Sequence, residues 1–278
     1  VVELAGFAQG PISGALLAFL GAEVVKIEPA SGDRGRPPEG AEFVDRRLTP
    51  PGFLWRLCNT NKESAVIDLR DPAHRPRFEA LIRSADAFVT NLMEETLADF
   101  GADRDTVKRL NPAIVYGRSD GFGYGGPLAN DSCQDTVGMA YAGLLDVAAE
   151  RAGEVAYPQY AISDILSGTM LAFAVVTGLL SRERGGDAPS VNTSQLQTLL
   201  WAQACNVASL ATYGWQFPRH DQLRSRTPLL NVHRASDGRW LAMGLIRPGE
   251  WEALMVILGL EECLLDPRFE SIAARAEN

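Results

Sequence analysis

The chain has 278 residues, enough for one large domain or two modest ones with a sizeable core. Its 46% hydrophobic and 22% charged content is that of an ordinary globular protein. The formal charge of -9 argues against nucleic acid or an anionic membrane as a general partner, so an anionic ligand needs a local basic site. Cys58, Cys133, Cys205 and Cys263 are scattered without a CxxC pair, and His74, His220 and His233 are equally scattered. That pattern predicts reduced structural thiols, a cytoplasmic setting and no metal site. The apolar run 168–180 is too short and too mixed with Gly and Thr for a membrane span, and Val1 leads straight into strand-like sequence.

Val1–Leu4 reads as a strand, Ile12–Leu20 as a helix and Glu23–Ile27, ending at Glu28, as a second strand. This is the opening of a parallel α/β sheet. The intervening loop GFAQGP has glycines for either a nucleotide-binding turn or a plain tight βα turn, with Pro11 placed where a helix begins. Residues 29–51 form a Gly/Pro/charge-rich loop in which Arg34 and Arg36 are either solvated or held for an anion. Strands follow at Ala65–Leu69, Ala85–Thr90 and Ala113–Tyr116, with helices from Pro72 and over Asp105–Leu110. This alternation predicts a Rossmann-like, doubly wound parallel sheet. The glycine loop GFGYGGP (Gly121–Pro127) lets backbone approach a ligand, and Gln134–Leu145 reads as a helix.

Residues Tyr157–Arg184 hold a long apolar helix opened by Ser163 and Asp164 as natural N-cap residues, with Gly185–Gly186 beyond its end. A carboxylate there is either an ordinary N-cap or a positioned nucleophile, and the helix dipole favours its ionised form. A second apolar helix, Val191–Leu210, reads as a link to a smaller α+β module. That module has strands Asn231–His233 and Trp240–Gly244 around the turn Ser236–Gly238, then a helix over Pro248–Leu258. The expected division is a large domain over 1–190, a helical linker over 191–224 and a small α+β domain over 225–278.

Taken in order, these segments resemble the class III CoA-transferase family (CaiB/BaiF type), which includes formyl-CoA and carnitinyl-CoA transferases. VVELAGFAQGP…LAFLGAEVVKIE resembles the family's opening strand, glycine–proline turn and second strand. SGDRGR, NTNKESAVIDL, LNPAIVYGRSDGFGYGGP, SDILSG and LLDPRFESIAARAEN resemble further family segments in the same order. Family members usually run on past this point in a tail that returns to the large domain, so that return segment is expected to be missing from this chain. TNLMEE (Thr90–Glu95) departs from the family's pattern, keeping Asn91 and placing Asp99 where a basic residue often lies.

The resemblance implies an enzyme moving CoA from an acyl-CoA to a small carboxylic acid through an aspartyl anhydride and an aspartyl-CoA thioester. CoA would be a substrate, with no permanently bound cofactor and no metal. Asp164 is then the nucleophile, with helix N–H groups available to the oxyanions. Arg36 is the matching phosphate contact and Arg34 its neighbour. Asn91 and the backbone at Leu69 match positions that line the nucleotide; Gln9 and Lys62 complete the candidates. The family implies an interlocked homodimer, with a hetero-oligomer as the other arrangement. Two rival readings stand beside it. An α-methylacyl-CoA racemase is disfavoured because Gln134 replaces the histidine base. A non-catalytic CoA-binding subunit is motivated by the altered Thr90–Glu95 segment.

Overall fold

The computed structural model describes residues 1–33, 35–36, 52–149, 154–158, 160–217, 225 and 227–278. Strand β1 (Val2–Leu4) runs into α1 (Gln9–Phe19), then β2 (Val25–Glu28), α2 (Phe53–Asn59) and β3 (Glu63–Val66). The chain continues through α3 (Arg75–Ser84), β4 (Ala87–Thr90), α4 (Glu94–Asp99), α5 (Arg104–Leu110) and β5 (Val115–Asp120). Next come α6 (Asp135–Tyr141), α7 (Leu144–Val147), α8 (Ile162–Glu183) and β6 (Ser190–Ser194). Among the described residues the six strands are all parallel, in the order β3-β2-β1-β4-β5-β6. The order reverses between β1 and β4, which is where an open α/β sheet makes its ligand crevice.

Alternate strand residues are apolar toward opposite faces, and both faces are covered, as a parallel sheet requires. Phe88 of β4 and Tyr116 of β5 stack at 5.3 Å between ring centroids and pack with Phe78, Ile82 and Leu97 from α3 and α4. Ala87 and Val89 look the other way, onto Leu17 of α1 and Leu171 and Val175 of α8. Each fully buried side chain of this size contributes about 1.5–3 kcal/mol. Helix α8 lies close on α1 because Gly168 carries no side chain: a Cβ there would stand 2.4 Å from the Gln9 carbonyl oxygen. By length and composition α8 could cross a membrane (mean hydropathy 1.7), yet one face is buried in this core.

The apolar segment read as one linking helix is three elements. Its first residues are β6, which pairs with β5 in the register Asp120↔Ser194. Helices α9 (Gln195–Ala202) and α10 (Ala204–Tyr213) follow. All three fall in the first compact unit, residues 1–148 and 155–216. The helix expected over Gln134–Leu145 is broken at Gly143 (φ 75), which separates α6 from α7.

The second unit comprises residues 149–154 and 217–278. Its strands β7 (Leu230–Arg234) and β8 (Trp240–Gly244) are antiparallel, followed by α11 (Glu250–Leu258) and α12 (Ile272–Glu277). The Arg275 guanidinium lies 4.3 Å from the Trp251 ring and donates through Nε to the Phe269 carbonyl at 2.8 Å, tying α12 to α11.

Candidate active site

The carboxyl ends of β1 to β5 open into a cavity of about 600 Å³ lined entirely by the first unit. Its wall includes the loop after β1, the end of β2 with the Pro29–Asp33 turn, Ile67–Arg70, Asn91–Met93 and Asp120–Gly121. Cys133, Gln134, Asp164 and Gln195 close the side toward α6, α8 and α9.

Asp164 is the third residue of α8, whose N-cap is Ala161 in a left-handed conformation (φ 59) without a side-chain cap of its own. The helix therefore begins earlier than the sequence suggested, and neither Ser163 nor Asp164 caps it. The acceptor for the free N–H groups comes from α6. Asp135 Oδ1 accepts from the backbone of Ser163 (2.7 Å) and Asp164 (3.3 Å), and its Oδ2 accepts from Ala161 N–H and the Tyr157 hydroxyl, both at 3.0 Å. Asp135 thus occupies the positive end of α8, and the N–H groups of Ala161, Ser163 and Asp164, expected to serve oxyanions, are already committed.

Asp164 consequently sits differently from a simple cap. Burial, then the nearby Asp135 carboxylate, push its pKa up to about 6, against a hydrogen bond from Gln195. Gln195 Nε2 donates to Asp164 Oδ1 at 2.6 Å. The carboxylate is still ionised at neutral pH, with a narrower margin than a helix N-terminus alone would give. Cys133, on the same wall, has its thiol pushed up to about 11, chiefly by burial, and is a poor nucleophile there.

Gln9, at the start of α1, is buried, with Nε2 within 2.9 Å of Ser119 Oγ and the Asp120 carbonyl and 3.1 Å of Ser167 Oγ. It binds α1 to β5 and to the turn of α8 after Asp164. Asn91 lines the cavity while bracing the loop after β1: its Oδ1 accepts from Gly6 N–H and its Nδ2 donates to Gly6 O, each at 3.0 Å. Leu69 lines the cavity beside Arg70.

Arg36 stands outside this lining, behind Glu28. Its Nε and Nη2 donate to the two Glu28 carboxylate oxygens at 3.0 and 2.6 Å, and its guanidinium lies 4.2 Å from the Trp55 ring. Although burial opposes it, these bonds and one from Ser64 hold Glu28 below its ordinary pKa. Two of the five guanidinium N–H groups are spent, leaving others for an anion. Arg34 lies outside the described residues.

Lys62 is not solvated, as a lysine after a turn would be. Its side chain is 2% exposed, and Nζ donates to Glu3 Oε2 (2.6 Å), the Pro11 carbonyl (2.7 Å) and Asn59 Oδ1 (3.2 Å). Glu3 Oε1 in turn accepts from Lys26 Nζ at 2.9 Å, and Lys26 lies 2.9 Å from Asp33 Oδ2. Lys62 therefore belongs to a buried chain of alternating charges beneath the cavity wall.

The family model for CoA-transferase family III matches residues 1–278. The chain belongs to CoA-transferase family III. It is 27% identical over 278 residues to the succinyl-CoA–D-citramalate CoA-transferase of Chloroflexus aurantiacus, covering 100% of this chain and 68% of that protein. Human alpha-methylacyl-CoA racemase is 26% identical over 264 residues, covering 94% of this chain and 64% of that protein. A CAIB/BAIF family protein from Brucella suis superposes with a TM-score of 0.83 at 27% identity, covering 100% of this chain and 73% of that structure.

For a family III chain, the charge of this cavity is informative. Glu28, Asp33, Asp68, Asp120, Asp131 and Asp164 line it, and Arg70 is the basic side chain among the described lining residues. Arg70 was not singled out from the sequence. Its Nε and Nη2 donate to Asp68 Oδ1 and Oδ2 at 2.9 and 2.8 Å, and its side chain is 68% exposed. Asp135 and Gln195 were also missed; the signal for Asp135 was its place next to Gln134 in CQDTVGMAY.

Proposed function

We propose that this family III protein transfers CoA from an acyl-CoA to a small carboxylic acid, with Asp164 as the nucleophile. The observation that carries the reading is the Asp164 carboxylate on the cavity wall, mostly buried, with one oxygen held by Gln195 at 2.6 Å. Asp164 attacks the thioester carbonyl, the C–S bond breaks, and CoA thiolate leaves behind a mixed anhydride. The thiolate attacks the aspartyl Cγ, expelling the donor carboxylate and forming an aspartyl-CoA thioester. The acceptor carboxylate attacks Cγ and expels the thiolate, which then attacks the acceptor's carbonyl. Acceptor acyl-CoA and the free Asp164 carboxylate result. Arg70 and Arg36 supply the local positive charge that an anionic thioester needs in an acidic chain. The exposed Phe173, Trp201 and Tyr213 on α8, α9 and α10 supply apolar area for a homodimer, which light scattering would test.

Incubation with a panel of acyl-CoAs, trapping with hydroxylamine and mapping by mass spectrometry test the reading. A modified Asp164, lost in Asp164→Asn together with transfer, is expected. Transfer retained in Asp164→Asn would sink it. The racemase relative motivates the second reading, α-proton exchange. Gln134 on the cavity wall cannot serve as the second base. Deuterium uptake from D2O into a 2-methylacyl-CoA would reinstate that reading.

A further inference from the structure

We infer that Gln195 is the oxyanion donor for the steps at the Asp164 Cγ: its Nε2 stays on Oδ1 while the other carboxylate oxygen carries the acyl group. The inference rests on the Asp164 nucleophile proposed above. Each attack on Cγ, by CoA thiolate on the anhydride or by the acceptor carboxylate on the thioester, makes that carbon tetrahedral. The pair of electrons from the C=O bond goes to the oxygen that is not exchanged. When the leaving group departs, that pair re-forms the carbonyl. Oδ1 is the oxygen already held, at 2.6 Å, and a donor in place beforehand needs no reorganisation as charge grows.

Three further observations fix the amide in that role. First, the backbone N–H groups of Ala161, Ser163 and Asp164 are committed to Asp135, so they are not offered to this oxygen. Second, Gln195 is 2% exposed and opens α9 directly after Ser194, whose Oγ caps that helix by accepting from Gln197 N–H. Its backbone is therefore anchored at the sheet edge. Third, its Oε1 and the Ser163 Oγ are both buried without a hydrogen-bond partner among the described residues, and both pack against Gly138. A Cβ on Gly138 would stand 3.0 Å from Ser163 Oγ and 3.1 Å from Gln195 Oε1. Since an ionised carboxylate only accepts, the amide's nitrogen end must face Asp164, and its oxygen end turns toward Gly138, where a Cβ would crowd it.

Gln195→Met keeps the shape and removes the donor; Gln195→Glu keeps the shape and replaces the donor with an acid. With either variant folded like the parent by circular dichroism, kcat is expected to fall on the order of 100-fold with KM for acyl-CoA little changed. The acid limb of the pH–rate profile should move to higher pH, and trapped adduct on Asp164 should persist longer after a single mixing with acyl-CoA. Parental kcat and limb in both variants, or adduct formation lost in step with kcat, would overturn the inference. Failure of the underlying reading shows separately, as an unmodified Asp164 in the parent protein, and would take the inference down with it.

Discussion

Asp164 carries two neighbours of opposite effect, and its behaviour follows from their balance. Burial and Asp135 raise its pKa to about 6, while Gln195 pulls it down. In the role proposed above, Asp164 acts as the ionised form, so transfer should fall on the acid side with a limb near pH 6 and be flat above it. The same shift is a stability statement. A carboxyl whose folded pKa lies above its unfolded value of about 3.8 destabilises the fold when ionised, and this cost disappears as pH falls through 6 toward 4. Asp164→Asn should therefore be more stable than the parent at pH 7.5, by up to about 2–3 kcal/mol, and equal to it below pH 4. Urea melts at the two pH values check this, and a variant less stable at pH 7.5 would contradict it. The two arginines separate in the same way. Arg70 lines the cavity with a largely exposed side chain, whereas Arg36 stands outside the lining, held on Glu28. Arg70→Ala and Arg36→Ala are each expected to weaken CoA binding several-fold, read by calorimetry; unchanged affinity in either removes that residue from the proposed phosphate contacts.

Among the elements, α8 is the one whose function depends on another helix. Its first-turn N–H groups have no acceptor on their own segment, and Asp135 reaches from α6 to supply one. Asp135→Asn leaves one oxygen where two worked and turns an NH2 toward donors. A cost of about 1–3 kcal/mol is expected. The same change removes a like charge beside Asp164, so its acid limb should move to lower pH, opposite in sign to the Gln195 variants. A limb unmoved by Asp135→Asn would deny the coupling. These contacts also show what the sequence could and could not reveal. β1, β2, β4 and β5 were legible because their apolar runs are short, β-branched and set between turn residues. β6 (SVNTS) was not, since it is a polar edge strand with a parallel partner far away in sequence. Asp164 was legible through its segment, whereas Asp135 and Gln195 lie 29 and 31 residues from it and meet it only in the folded chain.

At the scale of the molecule, the chain of charges Lys62–Glu3–Lys26–Asp33 shows how the first unit holds its cavity in place. It joins β1, β2, the turn before β3 and the loop after β2, with Lys26 also donating to the Ala5 carbonyl at 2.7 Å. Glu3 and both lysine side chains are almost fully buried, so each charge depends on its partners rather than on water. Removing one member leaves a buried charge under-compensated, which costs about 3–5 kcal/mol. Glu3→Leu would leave Lys62 with only the Pro11 carbonyl and Asn59, without an opposite charge, and leave Lys26 with Asp33. Lys62→Met would leave Glu3 with Lys26 alone. The double variant removes one charge of each sign and keeps the Lys26–Asp33 pair, so the remaining charges still balance. It should recover most of the stability lost in Glu3→Leu, a coupling of several kcal/mol in a double-mutant cycle by urea denaturation. Strictly additive losses would mean that the lysine and glutamate act independently. The chain would then be a set of separate contacts, not one lock beneath the site.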